Sequence, residues 1–213
     1  MGLSYFIHLS VRGLRQIRSD QRGASAIEFA VLLPLMLALY ISGYEISQAI
    51  SVGRKVTLIA HTVADLVSKW SLPTISTANV SDSLAAAGVI ATPYSSTPMT
   101  VVVSQLYVDQ NGNATVDWSQ ANPSTAALTP TTSITDSGLL ATLDSLTAPP
   151  PNQPRQAVCV IWGTASYAYT PQLGYAITGT LNLSDQIVLS PRQTGGFVYS
   201  GGTSAGLCPP PQS

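Results

Sequence analysis

The sequence predicts an α+β protein in which a long N-terminal helix, with a membrane half and an amphipathic half, packs on a small antiparallel β domain. Three observations support this fold class. Residues 29–44 form an uncharged apolar run behind a basic N-terminus, and apolar residues recur beyond it at spacings of three and four. The second half of the chain alternates stretches rich in β-branched residues with turn-forming residues.

Composition argues against several functions before any motif is considered. Of the 213 residues only 9% are charged, whereas a typical globular chain has about 25%. Nine Lys and Arg are too few and too spread to form a surface that neutralises phosphates, so no nucleic-acid partner is expected. Two cysteines and two histidines leave little material for a metal centre or for acid–base catalysis. We therefore expect no enzyme, no cofactor and no resident metal.

The first element is a helix that is long enough to span a membrane if it includes a carboxylate. Residues 24–44 approach the ~20 apolar residues that a spanning helix needs, but they contain Glu28. An ionised carboxylate in lipid costs about 2.5–3.5 kcal/mol on insertion scales. Four arginines precede the segment, which predicts a cytoplasmic N-terminus and an external C-terminal domain. They are Arg12, Arg15, Arg18 and Arg22.

Two ordinary interpretations of this segment leave something unexplained. A cleaved secretory signal peptide needs a small-x-small site after the apolar run, and residues 42–50 contain only a poor one. A plain uncleaved anchor gives Glu28 no role.

The order of residues around Glu28 suggests a third interpretation. Gly23 is followed by four small or apolar residues, then Glu28, Phe29 and the apolar run. This order resembles the processing site of type IV pilins and pseudopilins, whose peptidase cuts after the glycine on the cytoplasmic side. The stretch RGASAIEFAVLLPLMLALY, with Pro34 six residues after the glutamate, is similar to the start of TadE-like minor pilins of tight-adherence (Flp) pilus systems. Weaker matches to that family follow at Trp118, Tyr167–Pro171, Pro191-Arg192 and Cys208.

The resemblance implies a minor pilin used in the assembly, initiation or tip of a pilus for surface attachment. Cleavage would fall between Gly23 and Ala24, and the new Ala24 amine would pair with Glu28 of a neighbouring subunit, next to Phe29. The implied partners are a prepilin peptidase, other major and minor pilins, an inner-membrane assembly platform and lipid. The protein would lie in a bacterial inner membrane with its C-terminal domain in the periplasm, and later in the pilus. The alternative is an unprocessed single-pass protein whose β domain is an external binding module.

The helix is expected to continue beyond the membrane as far as Trp70. One apolar stripe at helical spacing predicts the face that packs on the domain. It consists of Ile46, Ala49, Val52, Val56, Ile59, Val63, Leu66 and Trp70. Pro34 removes one helical hydrogen bond and is expected to kink or locally unwind the membrane half. The predicted organisation is thus a leader (1–23), a transmembrane and assembly helix (24–45), an amphipathic continuation (46–71) and a β-rich domain with a Pro/Gly-rich tail (72–213).

The elements of the β domain follow from local composition. Strands are predicted at 100–109 and 114–119, joined at Asn111-Gly112 by a type I′ hairpin turn. Residues 120–135 are predicted to form a loop, and Asp136 or Ser137 to cap a short helix. A long strand is predicted at 157–171, and 175–190 contain one or two more.

Two cysteines and one serine motif remain. Cys159 and Cys208 both lie outside the membrane in the predicted orientation, in a compartment that permits a disulfide, so we expect a disulfide between them. The alternative is one buried cysteine and one incidental tail cysteine. Residues 202–206 match G-x-S-x-G, but no histidine follows Ser204, so we interpret the match as a by-product of a Gly/Ser-rich tail. A calcium site among the scattered aspartates is a minor alternative.

Overall fold

A computed structural model of the chain describes residues 22–174, 178–193 and 195–208. Most of the predicted leader, including Arg12, Arg15 and Arg18, lies outside the described residues. The chain divides into two compact units. The first runs to Ser47 and includes Gln172–Thr178, and the second consists of Gln48–Pro171 and Gly179–Ser213.

The predicted α+β class is confirmed by a long apolar helix and a four-stranded antiparallel sheet. Helix α1 (Arg22–Ser68) has 47 residues, which at 1.5 Å per residue gives a length of ~70 Å. It ends two residues before the predicted Trp70, where the Ser68 carbonyl accepts the Arg192 amide at 2.8 Å. Pro34 lies inside the helix without a break in helical residues, so local unwinding there is wrong. The bend at Pro34 stays a prediction.

The second half of α1 packs on the domain with a stripe slightly different from the predicted one. The predicted members from Ala49 to Val63 are buried, but Ile46 and Leu66 are 49% and 43% exposed, and Val67 is buried instead of Leu66. From Ala49 on, the predicted stripe repeats every 3.5 residues on average, whereas a straight helix has 3.6 residues per turn. The facing position therefore drifts by ~20° per heptad and moves on by one residue near the end.

The strands of the sheet are β2 (Met99–Val108), β3 (Ala114–Ala121), β4 (Val158–Tyr169) and β5 (Leu181–Leu189). Their order in the sheet is β3-β2-β4-β5, and every neighbouring pair is antiparallel. One face packs against α1, with Val103, Trp118 and Ile161 in a shared core. The opposite face is covered over part of its area by helix α3 (Ser137–Thr147), through Leu139 and Leu143. Only one strand forms within the predicted 175–190 segment, among its described residues.

The structure contains a helix that was not predicted, between α1 and β2 along the chain. Helix α2 (Thr77–Ala91) begins with a capping box in which Ser76 and Asn79 exchange side-chain and backbone hydrogen bonds. Its buried residues are Val80, Leu84, Ala87 and Ala91. Two-residue strands β1 (Thr74–Ile75) and β6 (Val198–Tyr199) pair in parallel beside it and were not predicted either.

The β2–β3 hairpin turn differs from the predicted type I′ turn. That turn needs positive φ at both central residues, but only Gly112 has it, at 86°. The Gly112 amide donates to the Asp109 carbonyl at 3.1 Å, and the Asp109 amide donates to the Asn113 carbonyl at 2.9 Å. The connection is therefore a three-residue loop with glycine in the left-handed position.

Helix α3 begins as predicted. Asp136 caps it by accepting a hydrogen bond from the Leu139 amide.

Candidate functional site

The predicted processing and assembly residues lie on one continuous stretch of α1. Gly23 is exposed, and a Cβ atom added to it would meet nothing within 4 Å. Glu28 is exposed, Phe29 is 65% exposed, and Pro34 follows within the same helix. Ala24 lies four residues before Glu28, so the two positions are neighbours on one side of the helix. The side chains of Glu28 and Phe29 are thus open to another molecule.

The first half of α1 leaves its large apolar side chains uncovered. Eleven of them between residues 27 and 44 are 46–74% exposed. They are Ile27, Phe29, Val31, Leu32, Leu33, Leu35, Met36, Leu37, Leu39, Tyr40 and Tyr44. Among the described residues one helix is long and apolar enough to cross a membrane, and no residue of its apolar window is buried. Covering each such side chain is worth about 1.5–3 kcal/mol, so this surface strongly favours lipid or protein over water.

Two glutamates bound the uncharged run and have opposite environments. Glu28 is exposed at its start, whereas Glu45 directly after its end is 2% exposed. The sequence pattern placed Glu45 off the buried stripe and did not predict its burial. Glu28 is therefore the carboxylate that an external cationic group can reach.

The second predicted site residues, Cys159 and Cys208, are joined by a disulfide, with their Cα atoms 6.0 Å apart. The bond ties the C-terminal segment to the start of β4. Two buried side chains hold the same segment by hydrogen bonds, and the sequence analysis missed both.

Gln105 and Asp117 form this buried polar centre. The Gln105 amide nitrogen donates to Asp117 Oδ2 at 2.9 Å and to the Phe197 carbonyl at 3.0 Å, while Gln105 Oε1 accepts the Phe197 amide at 2.9 Å. Asp117 Oδ1 accepts the Leu207 amide at 2.8 Å. Both side chains are almost fully buried, at 0% and 1% exposure. The bonds to Phe197 and Leu207 hold the C-terminal segment over the sheet, and the bond between Gln105 and Asp117 orients the two side chains.

Ring stacking completes the same attachment. Trp118 stacks on Tyr199, with ring centroids 5.1 Å apart. The Tyr199 hydroxyl accepts from the Gln120 amide nitrogen at 2.6 Å and lies 3.1 Å from the Thr77 hydroxyl. The sequence does contain a signal for this centre, because Gln105 and Asp117 each lie within a strand of mostly apolar residues. Buried polar side chains need hydrogen-bond partners, so such positions indicate a buried polar contact.

The G-x-S-x-G match has no nucleophile-elbow geometry. Residues 203–207 form no helix, and the Ser204 hydroxyl points to Asp117 Oδ1 at 3.3 Å and accepts the Gly206 amide. Among the described residues, no group of three or more His, Cys, Asp or Glu could share a metal ion. His61 is exposed on α1.

The surface aspartates serve local structure. Asp109 accepts hydrogen bonds from the side chain and amide of Asn113 and from the Asn111 amide, which holds the pKa of its carboxyl below the usual range. Asp144 forms an ion pair with Arg155.

No family model matches the chain, and no curated protein or solved structure shows significant similarity to it.

Proposed function

We propose that the protein is a minor pilin-like subunit that is cleaved after Gly23 and inserts its bare apolar helix among neighbouring subunits. The observation that supports this most strongly is the position of Glu28. Its carboxylate is exposed, one helical turn after Ala24, at the start of an uncovered apolar helix. The TadE-like order of Gly23, Glu28, Phe29 and Pro34 supports the same function.

The chemistry of the head of the helix explains why cleavage and assembly are coupled. Cutting the Gly23–Ala24 bond creates a cationic amine, and the apolar segment stays in the protein. Glu28 of a neighbouring subunit offers that amine an opposite charge, which offsets the cost of holding either charge in an apolar environment. Before cleavage no amine exists at this place, so an unprocessed chain lacks the pairing.

The proposed location follows from the same segment. The helix would hold the chain in a bacterial inner membrane, with the arginine-rich leader cytoplasmic and the disulfide-bonded domain periplasmic. Its partners would be a prepilin peptidase, other pilins and the assembly platform, and it would act without catalysis in surface attachment.

Intact mass of the membrane-extracted protein tests processing. Removal of residues 1–23 leaves 190 of the 213 residues (213 − 23). Gly23→Leu should leave the full-length chain, because the peptidase must approach the backbone closely. Gly43→Leu is the matched control, since Gly43 lies on the same helix with open space around it. Equal processing of wild type and Gly23→Leu contradicts the proposal.

Glu28→Ala tests assembly separately from anchoring. Removing the carboxylate makes the helix easier to hold in lipid, so cleavage and protein level should persist while pili or attachment decrease. Ser25→Ala, at another exposed polar position near the head of the helix, should change none of these. Normal piliation and attachment with Glu28→Ala would favour the unprocessed external binding module.

A further inference from the structure

We propose that the uncovered part of the outer sheet face is a binding groove for a neutral saccharide. The groove has a volume of about 410 Å³ and lies within the second compact unit, on the face that α3 covers elsewhere. This volume is within the range of small-molecule sites, about 300–1,000 Å³. Its lining residues are Thr100, Asp136, Thr164, Ala165, Ser166, Ser184, Asp185 and Gln186. The inference goes beyond the proposed pilin function and does not depend on assembly.

The strand register arranges the polar side chains in two rows across the sheet. Thr100 pairs with Ser166, and Ser166 pairs with Ser184, so three hydroxyl groups follow one another across β2, β4 and β5. The next row places Thr164 beside Gln186. Neighbouring strands are ~4.8 Å apart, so the first row extends over ~10 Å. A row of this kind offers several hydrogen-bonding groups to one flat, polar ligand.

The chemistry of the lining favours sugar hydroxyls over anionic ligands. A Ser or Thr hydroxyl both donates and accepts, and so does each hydroxyl of a saccharide. The Thr100 and Ser166 hydroxyls already share a bond of 2.6 Å, which orients them and leaves one proton free to donate outward. Among the residues that the structure describes, no Lys or Arg lines the groove, so an anion finds no counter-charge from them there.

Asp136 adds an acceptor at the edge of the groove. One of its oxygens caps α3, at 2.6 Å from the Leu139 amide, and this bond holds the carboxylate in place. Calcium prefers six to eight oxygen ligands with several carboxylates. Among the described residues, no three Asp, Glu, His or Cys side chains are grouped so that they could bind a metal ion together. The carboxylate is therefore better suited to accept a sugar hydroxyl than to bind a metal.

An aromatic side chain lies next to the second row. Trp162 precedes Thr164 on the same face of β4, is half-buried, and donates from Nε1 to Gln186 Oε1 at 3.1 Å. This bond fixes the indole beside the groove and orients the Gln186 amide. A rigid ring next to convergent polar groups suits the mixed apolar and polar faces of a pyranose.

The test is calorimetric titration of the full chain in lipid nanodiscs, free of glycoside detergents, with cellohexaose, maltohexaose and N-acetylchitohexaose. Hexagalacturonate and calcium chloride are the anionic and cationic comparators. We expect saturable binding of at least one neutral oligosaccharide. Ser184→Leu should weaken it at least about tenfold by filling the groove, and Gln186→Ala about two- to tenfold by removing one hydrogen bond.

Matched controls separate the groove from the rest of the domain. Asn182→Leu makes the same kind of change at an exposed position of β5 outside the groove, and Gln110→Ala changes an exposed glutamine at the β2–β3 hairpin tip. Both should bind like wild type, and the circular dichroism of all four variants should match wild type. If Ser184→Leu does not fold, Gln186→Ala decides. Three results would overturn the proposal. They are no binding of any neutral oligosaccharide, binding only of calcium or hexagalacturonate, and equal binding by the groove variants and the control variants.

Discussion

The two halves of α1 have the same secondary structure and opposite environments. Between residues 27 and 44 eleven of its large side chains are about half to three-quarters exposed, whereas Val52, Val56 and Val63 in the second half are at most 2% exposed. The first half is apolar on every side, and the second has one apolar stripe among polar residues. An apolar stripe needs one covering surface, while an all-round apolar helix needs a continuous apolar surrounding. The pattern of hydrophobicity, more than its amount, therefore separates the packed half of α1 from the uncovered half.

Side-chain size differs between the halves for the same reason. The first half is rich in Leu, whereas Ala60 and Ala64 in the second allow β4 to approach the helix backbone. A Cβ atom added to Gly163 would lie 2.8 Å from Ala64 Cβ and 3.0 Å from the Ala60 carbonyl oxygen. The second half of α1 (the packed half, residues 48–68) thus depends on close complementarity with the sheet. The first half (the bare half, residues 24–44) does not. Changes in the domain should consequently unfold it without affecting how the first half inserts.

The largest expected effect is that of Gln105→Leu. It leaves Phe197 N–H, the Phe197 carbonyl and Asp117 Oδ2 without their buried partner, at about 1–3 kcal/mol for each group. Chemical denaturation followed by tryptophan fluorescence should show a domain destabilised by about 3–6 kcal/mol or unfolded. Gln110→Leu, exposed at the hairpin tip, should be nearly neutral. Both variants should enter the membrane fraction equally, and a loss of membrane insertion with Gln105→Leu alone would break the comparison.

Removing the disulfide should have the next largest effect. The bond closes a loop between residues 49 positions apart, and such a cross-link stabilises by about 2–4 kcal/mol. Cys159→Ser with Cys208→Ser should lower the melting temperature of the domain, while the hydrogen bonds from Gln105 and Asp117 keep the C-terminal segment docked. Thiol labelling of the native wild type should be negligible without reductant. Two readily alkylated thiols would remove the disulfide from this account.

Gly163→Ala tests close packing directly and should cost about 1–3 kcal/mol through overpacking against α1. Gly43→Ala is its counterpart in the bare half, where a Cβ atom meets nothing within 4 Å. It should leave domain stability unchanged in a thermal melt. Equal destabilisation by both substitutions would mean that the first half is also closely packed within the chain.

Sequence patterns predicted the elements whose signals are local. The apolar run, the helical stripe, three long strands and the α3 cap at Asp136 all follow from residue period or capping chemistry. Helix α2 was not predicted because alanines make up much of its apolar side and give a weak helical pattern. The local signal for its start was Ser76, which caps the helix together with Asn79.

Features set by tertiary contact could not be predicted in the same way. The backbone partners of Gln105 and Asp117 in the C-terminal segment lie about 90 residues away along the chain, and the β1–β6 pair joins Thr74 to Val198, which are still further apart. The groove likewise exists only because the register aligns hydroxyls from three strands. The processing and assembly residues are a motif on one helix, so the sequence was sufficient to propose them.

The smallest expected effect concerns a surface charge of the domain, at Asp109, whereas the first half of α1 carries its exposed charge at Glu28. Hydrogen bonds from Asn113 and Asn111 lower the pKa of Asp109 in the folded state, so its carboxylate stabilises the hairpin loop above the unfolded pKa of ~3.9. That stabilisation is lost as the pH falls below this value and through the lower folded pKa. NMR titration should show the Asn111 and Asn113 amide signals shifting together in this acid range. Asp109→Asn should abolish the shift and leave the rest of the domain unchanged. Because Asp109 lies in a surface hairpin loop where water screens its charge, the global stability of the variant at neutral pH should barely change. A large loss of stability at neutral pH would mean that the loop contributes to the core.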